Sequence, residues 1–422
     1  MVVLNKIHER ELHKEGKLLI LSVFPVAFLL FGLFLCGSVE TLVQGMKTIL
    51  LSPTILITDF LEIGGLGASF VNAAIIGFIN LYLLKRYKLR INGLLIAAYM
   101  TVLGFAFFGK NVFNILPIYA GGYLYCRYQK ISMKNIILII MFGTALAPIV
   151  SEIAFGHPQH LNFGLPLGIG LGVLIGFIIV PLSSHMLKFH DGYNLYNIGF
   201  TAGIIGTVFT SVLRSFKMEI QPENILYLDK SSHIASLLAF LFIYLIIVGL
   251  ALNKDVLNHY GRIFKYKGRT ITDFTSLVGY GMTFFNMGIM GLVSLCYVLF
   301  VGGVINGPVL AGVFTVVGFA AFGKQPKNCY PIVIGVIGTS LLLGYDLSST
   351  SLIISVLFST TLAPIAGSYG PLAGLVAGAL HIAIVMNIGI VHGGINLYNN
   401  GFSGGLVAGF LVPIIDAFRK DD

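Results

Sequence analysis

The chain has no tryptophan, and charged residues make up only 10% of its 422 positions. A soluble domain carries about 25% charge, so a water-exposed globule of this size is excluded. The four cysteines, Cys36, Cys126, Cys296 and Cys329, are scattered and form no CxxC or metal-ligand spacing. That excludes a disulfide framework and predicts buried neutral thiols. HExxH, GxGD and DDxxD motifs and a Ser/His/Asp arrangement are also missing, so an enzyme is not expected. GFAFFGKN at 104–111 and GFAAFGKQ at 318–325 have the Walker spacing G-x-x-x-x-G-K. Neither has the Ser/Thr that should follow, and both end apolar segments with no preceding strand, so nucleotide binding is set aside. Glu152, His157 and His160 lie in a Gly/Pro loop, and no metal site is expected there.

What is present is apolar. Hydrophobic residues reach 56%, with runs of about twenty at 18–37, 91–108, 134–151 and 232–252. These runs predict an all-α, polytopic integral membrane protein. Seventeen mostly polar residues precede the first run without an evident signal-peptidase site, so that run is expected to stay as a membrane helix. The 19 tyrosines take the interfacial role that tryptophan would otherwise share. The net charge of +9 resides in short connections, as in cytoplasmic loops, and calls for no nucleic acid.

One polar sentence occurs twice. HDGYNLYNIGFTAG at 190–203 and HGGINLYNNGFSGG at 392–405 agree at nine of fourteen positions. ITDF at 57–60 and 271–274, ING at 91–93 and 305–307, and the two GFAxFGK stretches pair at a constant offset of 214. Leu-Ala-Pro-Ile at 146–149 pairs with 362–365 at 216, and the long motif at 202. The second copy therefore lacks about fourteen residues around FGHPQHLNFG, and the whole chain is one duplicated unit. The expected organisation is a cytoplasmic tail (1–17), a first membrane repeat (18–216), an external linker (217–231), a second repeat (232–418) and a short tail (419–422).

Each copy carries about seven apolar segments, with the fourth (113–127 and 329–344) the shortest, so about fourteen transmembrane or re-entrant helices are expected. If every segment crosses, an odd count turns the second copy upside down. Basic clusters at 85–90, 126–134, 254–269 and 323–327 then all fall inside with both termini, whereas the stretches assigned outside are nearly free of Lys and Arg. Inverted repeats suit secondary transporters, whose sites lie at the midplane where the halves meet.

The duplicated motif supplies the candidate site. Asn194, Tyr196 and Asn197, with Asn396, Tyr398 and Asn399, are candidate solute contacts, because unsatisfied amides are costly in lipid. The four asparagines are expected to converge on one solvated cavity. The alternative is structural: amides capping a broken helix and glycines permitting close packing. His190 and His392 could gate entry or relay protons. Asp59 and Asp273 read as helix caps or as coupling-ion ligands. Thr144 and Thr360 precede Pro148 and Pro364, which should break their helices; each threonine either satisfies a freed carbonyl or lines a cation site. Asn72 and Asn286 read as interhelical hydrogen bonds, and Glu152 as an asymmetric acid, a further coupling candidate.

The doubled H-x-G-x-N-L-Y-N-x-G-F-x-x-G motif resembles the bacterial membrane family called domain of unknown function 1576, whose members carry two copies of one domain. The Tyr-Asn stretch is also similar to one that begins a helix in each half of urea transporters, with Ile198 and Asn400 replacing its glycine. The 7+7 count looks like the nucleobase and anion exchanger fold by topology alone. The resemblance implies a multi-pass protein of the bacterial inner membrane. The expected function is ion-coupled secondary transport of a small polar or weakly anionic solute. It uses Na+ or H+, needs no other cofactor and is compatible with a homo-oligomer. A channel-like facilitator for a small neutral solute is the alternative, and an intramembrane lipid-modifying enzyme the weaker one.

Overall fold

The computed structural model describes residues 12–156, 161–218, 220, 223–269 and 271–418. Among them the chain is helical, with isolated bridges and no strands. The first half runs α1 (Lys14–Cys36), α2 (Val39–Leu51), α3 (Phe60–Ile63), α4 (Gly65–Arg86), α5 (Gly93–Phe105), α6 (Val112–Gln129), α7 (Ile137–Gly143), α8 (Ala147–Phe155), α9 (Leu161–His190) and α10 (Asn197–Ser215). The second repeats that order: α11 (Ser232–Leu252), α12 (Val256–His259), α13 (Phe274–Leu277), α14 (Gly279–Phe300), α15 (Gly307–Phe319), α16 (Pro326–Leu342), α17 (Thr350–Ser359), α18 (Ala363–Tyr369), α19 (Pro371–Ile388) and α20 (Asn399–Phe418).

Among the described residues, ten helical stretches are long and apolar enough to cross a membrane, with α7–α8 and α17–α18 each counting as one. This measure does not reach the expected fourteen transmembrane or re-entrant helices. The shortest apolar segments are also not the fourth of each copy, as expected, but the third. α5 and α15 have 13 residues each, about 20 Å at 1.5 Å per residue against a hydrocarbon core of about 30 Å. They end early because Gly109 (φ +77°) and Gly323 (φ +91°) turn the chain through the left-handed region just before a lysine. The amphipathic α2 had no counterpart among the expected apolar segments.

Burial separates the helices into layers. Only 28% and 33% of the apolar windows of α1 and α11 are covered by protein, against 89% and 78% for α7–α8 and α17–α18. Outward Leu and Phe side chains suit α1 and α11 to lipid, while the broken helices sit at the centre. Two helix pairs join the halves most closely. α5 packs on α15, where a Cβ on Gly104 would stand 2.8 Å from that of Phe314 and one on Gly318 2.8 Å from that of Met100. α10 packs on α20 through Gly199 and Gly401, each of which would bring a Cβ within about 3 Å of the other's Cα. The glycines of the duplicated motif are thus packing surfaces.

The repeated short motifs are joints. Asn92 and Asn306 of the ING pair cap α5 and α15, accepting from Leu95 N (2.9 Å) and Val309 N (3.2 Å). Asn72 and Asn286 are the interhelical links expected of them. Asn72 Nδ2 donates to the carbonyls of Ala106 (2.7 Å) and Lys110 (3.0 Å), and Asn286 Nδ2 to those of Ala320 (2.7 Å) and Lys324 (2.9 Å). Both amides therefore clamp the turn that ends the short helix.

Candidate functional site

In each copy of the long motif a helix ends at or just before the histidine (α9 at His190, α19 at Ile388), a non-helical segment follows, and a second helix begins at Asn197 or Asn399. The break is made by Asp191 and Gly192, and by Gly393 and Gly394, all at positive φ. His190 Nε2 lies 3.1 Å from Asn197 Oδ1, and His392 Nε2 lies 2.9 Å from Asn399 Oδ1. The two amides turn their nitrogens to the preceding helix, Asn197 to Ser183 O (3.0 Å) and Asn399 to Val385 O (3.4 Å). This histidine–asparagine pair ties both sides of the break together.

Each non-helical segment crosses to the other repeat. Leu195 N donates to Thr361 O (3.1 Å), and Leu397 N to Ala145 O (3.0 Å). Both acceptors lie in 3-10 turns, Thr144–Leu146 and Thr360–Leu362, that interrupt the central helices ahead of Pro148 and Pro364. Thr144 and Thr360 donate their hydroxyls to Met141 O and Leu357 O, 2.6 Å each.

Two residues outside the motif complete the arrangement. Lys110 and Lys324, at the ends of the GFAxFGK stretches, are wholly buried. Lys110 Nζ donates to Tyr398 Oη (2.6 Å); Lys324 Nζ donates to Tyr196 Oη and to Thr360 Oγ1 (2.7 Å). Each lysine also lies over aromatic rings, Lys110 over Phe105 and Tyr398, Lys324 over Phe319 and Tyr196. Their partners are neutral, and each tyrosine comes from the opposite repeat. At Thr360 the place expected of an external cation is taken by the side-chain nitrogen of Lys324.

Tyr196 and Tyr398 open onto a cavity of about 280 Å³ between the halves. Its wall is doubled: Thr101 and Thr315, Phe105 and Phe319, Phe142 and Phe358, Leu195 and Leu397 are repeat partners. Leu94, Leu138, Ile139, Ser183, Ser184, Leu187 and Asn197 line it from the first repeat alone, and Phe322 from the second alone. Among the described residues, no Asp, Glu, Lys, Arg or His lies in the lining.

The four asparagines do not converge on this cavity. Only Asn197 is in its wall. Asn194 and Asn396 are wholly buried. Asn194 accepts from Tyr196 N (3.1 Å) and Thr361 Oγ1 (2.5 Å) and donates to Gly401 O (3.0 Å). Asn396 accepts from Tyr398 N (3.0 Å), and its Nδ2 has no partner among the described residues. The backbone at a helix break needs these amides more than a cavity can use them.

Asp59 and Asp273 cap α3 and α13 and also brace the halves. Asp59 Oδ1 accepts from Leu61 N (3.0 Å), and Oδ2 from Tyr227 N and Gly307 N (3.1 Å each). Asp273 Oδ1 accepts from Thr275 N, Thr275 Oγ1 and Gly93 N. Glu152 is buried in α8. His157 and His160 lie outside the described residues. Among those described, no three His, Cys, Asp or Glu side chains gather as a metal site.

Sequence reasoning passed over two features. The lysines were set aside with the Walker reading, although a charge doubled within apolar sequence was itself the signal. His381 in α19 is buried, with Nε2 3.0 Å from Asn400 Oδ1 and Nδ1 2.9 Å from Ser403 Oγ. Its repeat counterpart is Ile179, so this polar trio belongs to one half only.

Fold and site thus define a helical, multi-pass membrane protein built from two copies of one unit around a shared cavity. The chain belongs to the family described as protein of unknown function (DUF1576), whose model matches residues 38–215 and 252–417, one domain copy each. No curated protein and no solved structure matches the chain, and the likeness to urea transporters is not shown.

Proposed function

We propose that this chain is an ion-coupled secondary transporter of the bacterial inner membrane. It carries a small polar or weakly anionic solute by alternating access between two inverted repeats, with both termini cytoplasmic. The observation that carries this reading is the lopsided cavity between duplicated halves. Near the tyrosines its wall is symmetric. Towards the basic connections at 85–90 and 126–134, which the charge pattern assigns to the cytoplasm, it is lined by first-repeat residues whose partners do not line it. Ile139 lines the cavity, whereas its counterpart Ser355 is buried at 3% exposure. Inverted repeats that exchange conformations would close the Ile139 side and open the Ser355 side.

The test uses single cysteines at Ile139 and Ser355 in a background with the four native cysteines replaced. A membrane-impermeant thiol reagent is applied to right-side-out and inside-out vesicles. Ile139→Cys should react from the cytoplasmic side and Ser355→Cys only from the external side. A Ser355→Cys that stays inert from both sides would overturn alternating access. Reaction of both positions from one side would favour the channel-like facilitator.

A further inference from the structure

The two lysine–tyrosine pairs hold donor capacity that the protein leaves unused. Each tyrosine oxygen accepts from its lysine. The hydroxyl proton of Tyr398 has no acceptor oxygen among the described residues, whereas Tyr196 also pairs with Thr360. A phenol that accepts from an ammonium is polarised and becomes a stronger donor in turn. Both tyrosines stand in the cavity wall, so two buried lysine amines lie behind the lining of one chamber, each joined to it by a tyrosine. Among the described residues Lys110 has a single side-chain hydrogen-bond partner, whereas Lys324 has two.

Burying an ammonium without a counter-charge costs several kcal/mol. This chain buries a lysine amine twice, at equivalent positions, with hydroxyls and ring faces as the partners among the described residues. No carboxylate of a described residue lines the chamber to balance them. Five phenylalanines, Phe105, Phe142, Phe319, Phe322 and Phe358, make up much of the rest of the wall. An anion in the chamber would favour the protonated form of both lysines, and the remaining surface is apolar.

We propose that the cavity takes an organic anion with an apolar body. The anionic group accepts hydrogen bonds from Tyr196 and Tyr398, each backed by the lysine of the opposite repeat, and the body rests against the phenylalanines. This inference rests on the cavity being the solute site of the transport reading, whose labelling test does not depend on solute charge. Either can therefore fail without the other.

The experiment measures thermal unfolding of the detergent-purified full chain with three probes that share one ring: benzoate, benzamide and benzylamine. Benzoate should raise the Tm by several degrees in a concentration-dependent manner; the neutral and cationic probes should not. Lys110→Met and Lys324→Met should each weaken the benzoate response at least tenfold. Tyr398→Phe and Tyr196→Phe keep the ring volume and should weaken it as well, which covers the case of a methionine variant that does not fold. No response to benzoate, or an equal response to benzamide, would overturn the proposal. So would an unchanged benzoate response in the folded variants.

Discussion

Lys110 and Lys324 show how the same residues can be visible in a sequence and still be misplaced. Their motif repeats within apolar sequence, but its match to a phosphate loop drew attention to the spacing rather than to the charge. The contacts with Tyr398 and Tyr196 span 288 and 128 residues, a separation that no local pattern encodes. The asparagines show the reverse. Their pairing with the histidines was within reach of spacing, since seven residues separate each pair. Their direction was not, because backbone groups at the breaks compete for the same amides. One asymmetry gives a stability prediction. Asn194 makes three hydrogen bonds, whereas Asn396, facing Ala145 where Asn194 faces Thr361, makes one. Leaving buried partners unsatisfied costs about 1–3 kcal/mol. Asn194→Ala should therefore lower the Tm of the purified protein clearly more than Asn396→Ala. Equal losses would show that the two motif copies bear the same structural load.

At the scale of elements, the caps and the duplication were legible because ITDF and ING carry their own chemistry: a carboxylate or amide ahead of free N–H groups. The broken central helices were legible from Pro148 and Pro364. The shortness of α5 and α15 was not, since their apolar character runs past the last helical residue into the turn. What separates a cap from an ion ligand at Asp59 and Asp273 is the use of each oxygen. Both oxygens of Asp59 accept from N–H groups; the bonds to Asp273 all reach Oδ1. With Asp273→Asn the amide oxygen can keep that place, but with Asp59→Asn an NH2 must face N–H donors. Asp59→Asn should therefore lose folded yield and thermal stability, while Asp273→Asn stays close to the wild type. If both variants fold normally and lose only ion dependence of uptake, the coupling-ion role holds and the capping account is insufficient.

Across the whole molecule, the two copies solve the same turns with different residues. After α4 and α14 the chain passes through the left-handed region at Lys88 (φ +50°) and Gly302 (φ +73°). After α6 and α16 it does so at Lys130 (φ +56°) and Gly344 (φ +71°). Both pairs stand 214 residues apart, the offset of this part of the duplication. A left-handed conformation costs a residue with a side chain about 1–2 kcal/mol and glycine almost nothing, so backbone geometry alone favours glycine at all four positions. The first copy nevertheless places lysine at both. Retention of lysine in the first copy and its absence in the second are what a cytoplasmic excess of positive charge demands of turns on opposite faces. Parallel repeats would put each pair on one face and give no reason for the difference. Single cysteines at Lys130 and Gly344, both exposed, turn this into a measurement. In intact cells an impermeant reagent should label Gly344→Cys and miss Lys130→Cys until the membrane is permeabilised. Labelling of both from outside would mean that the halves share one orientation, and the exchange of conformations between them would lose its basis.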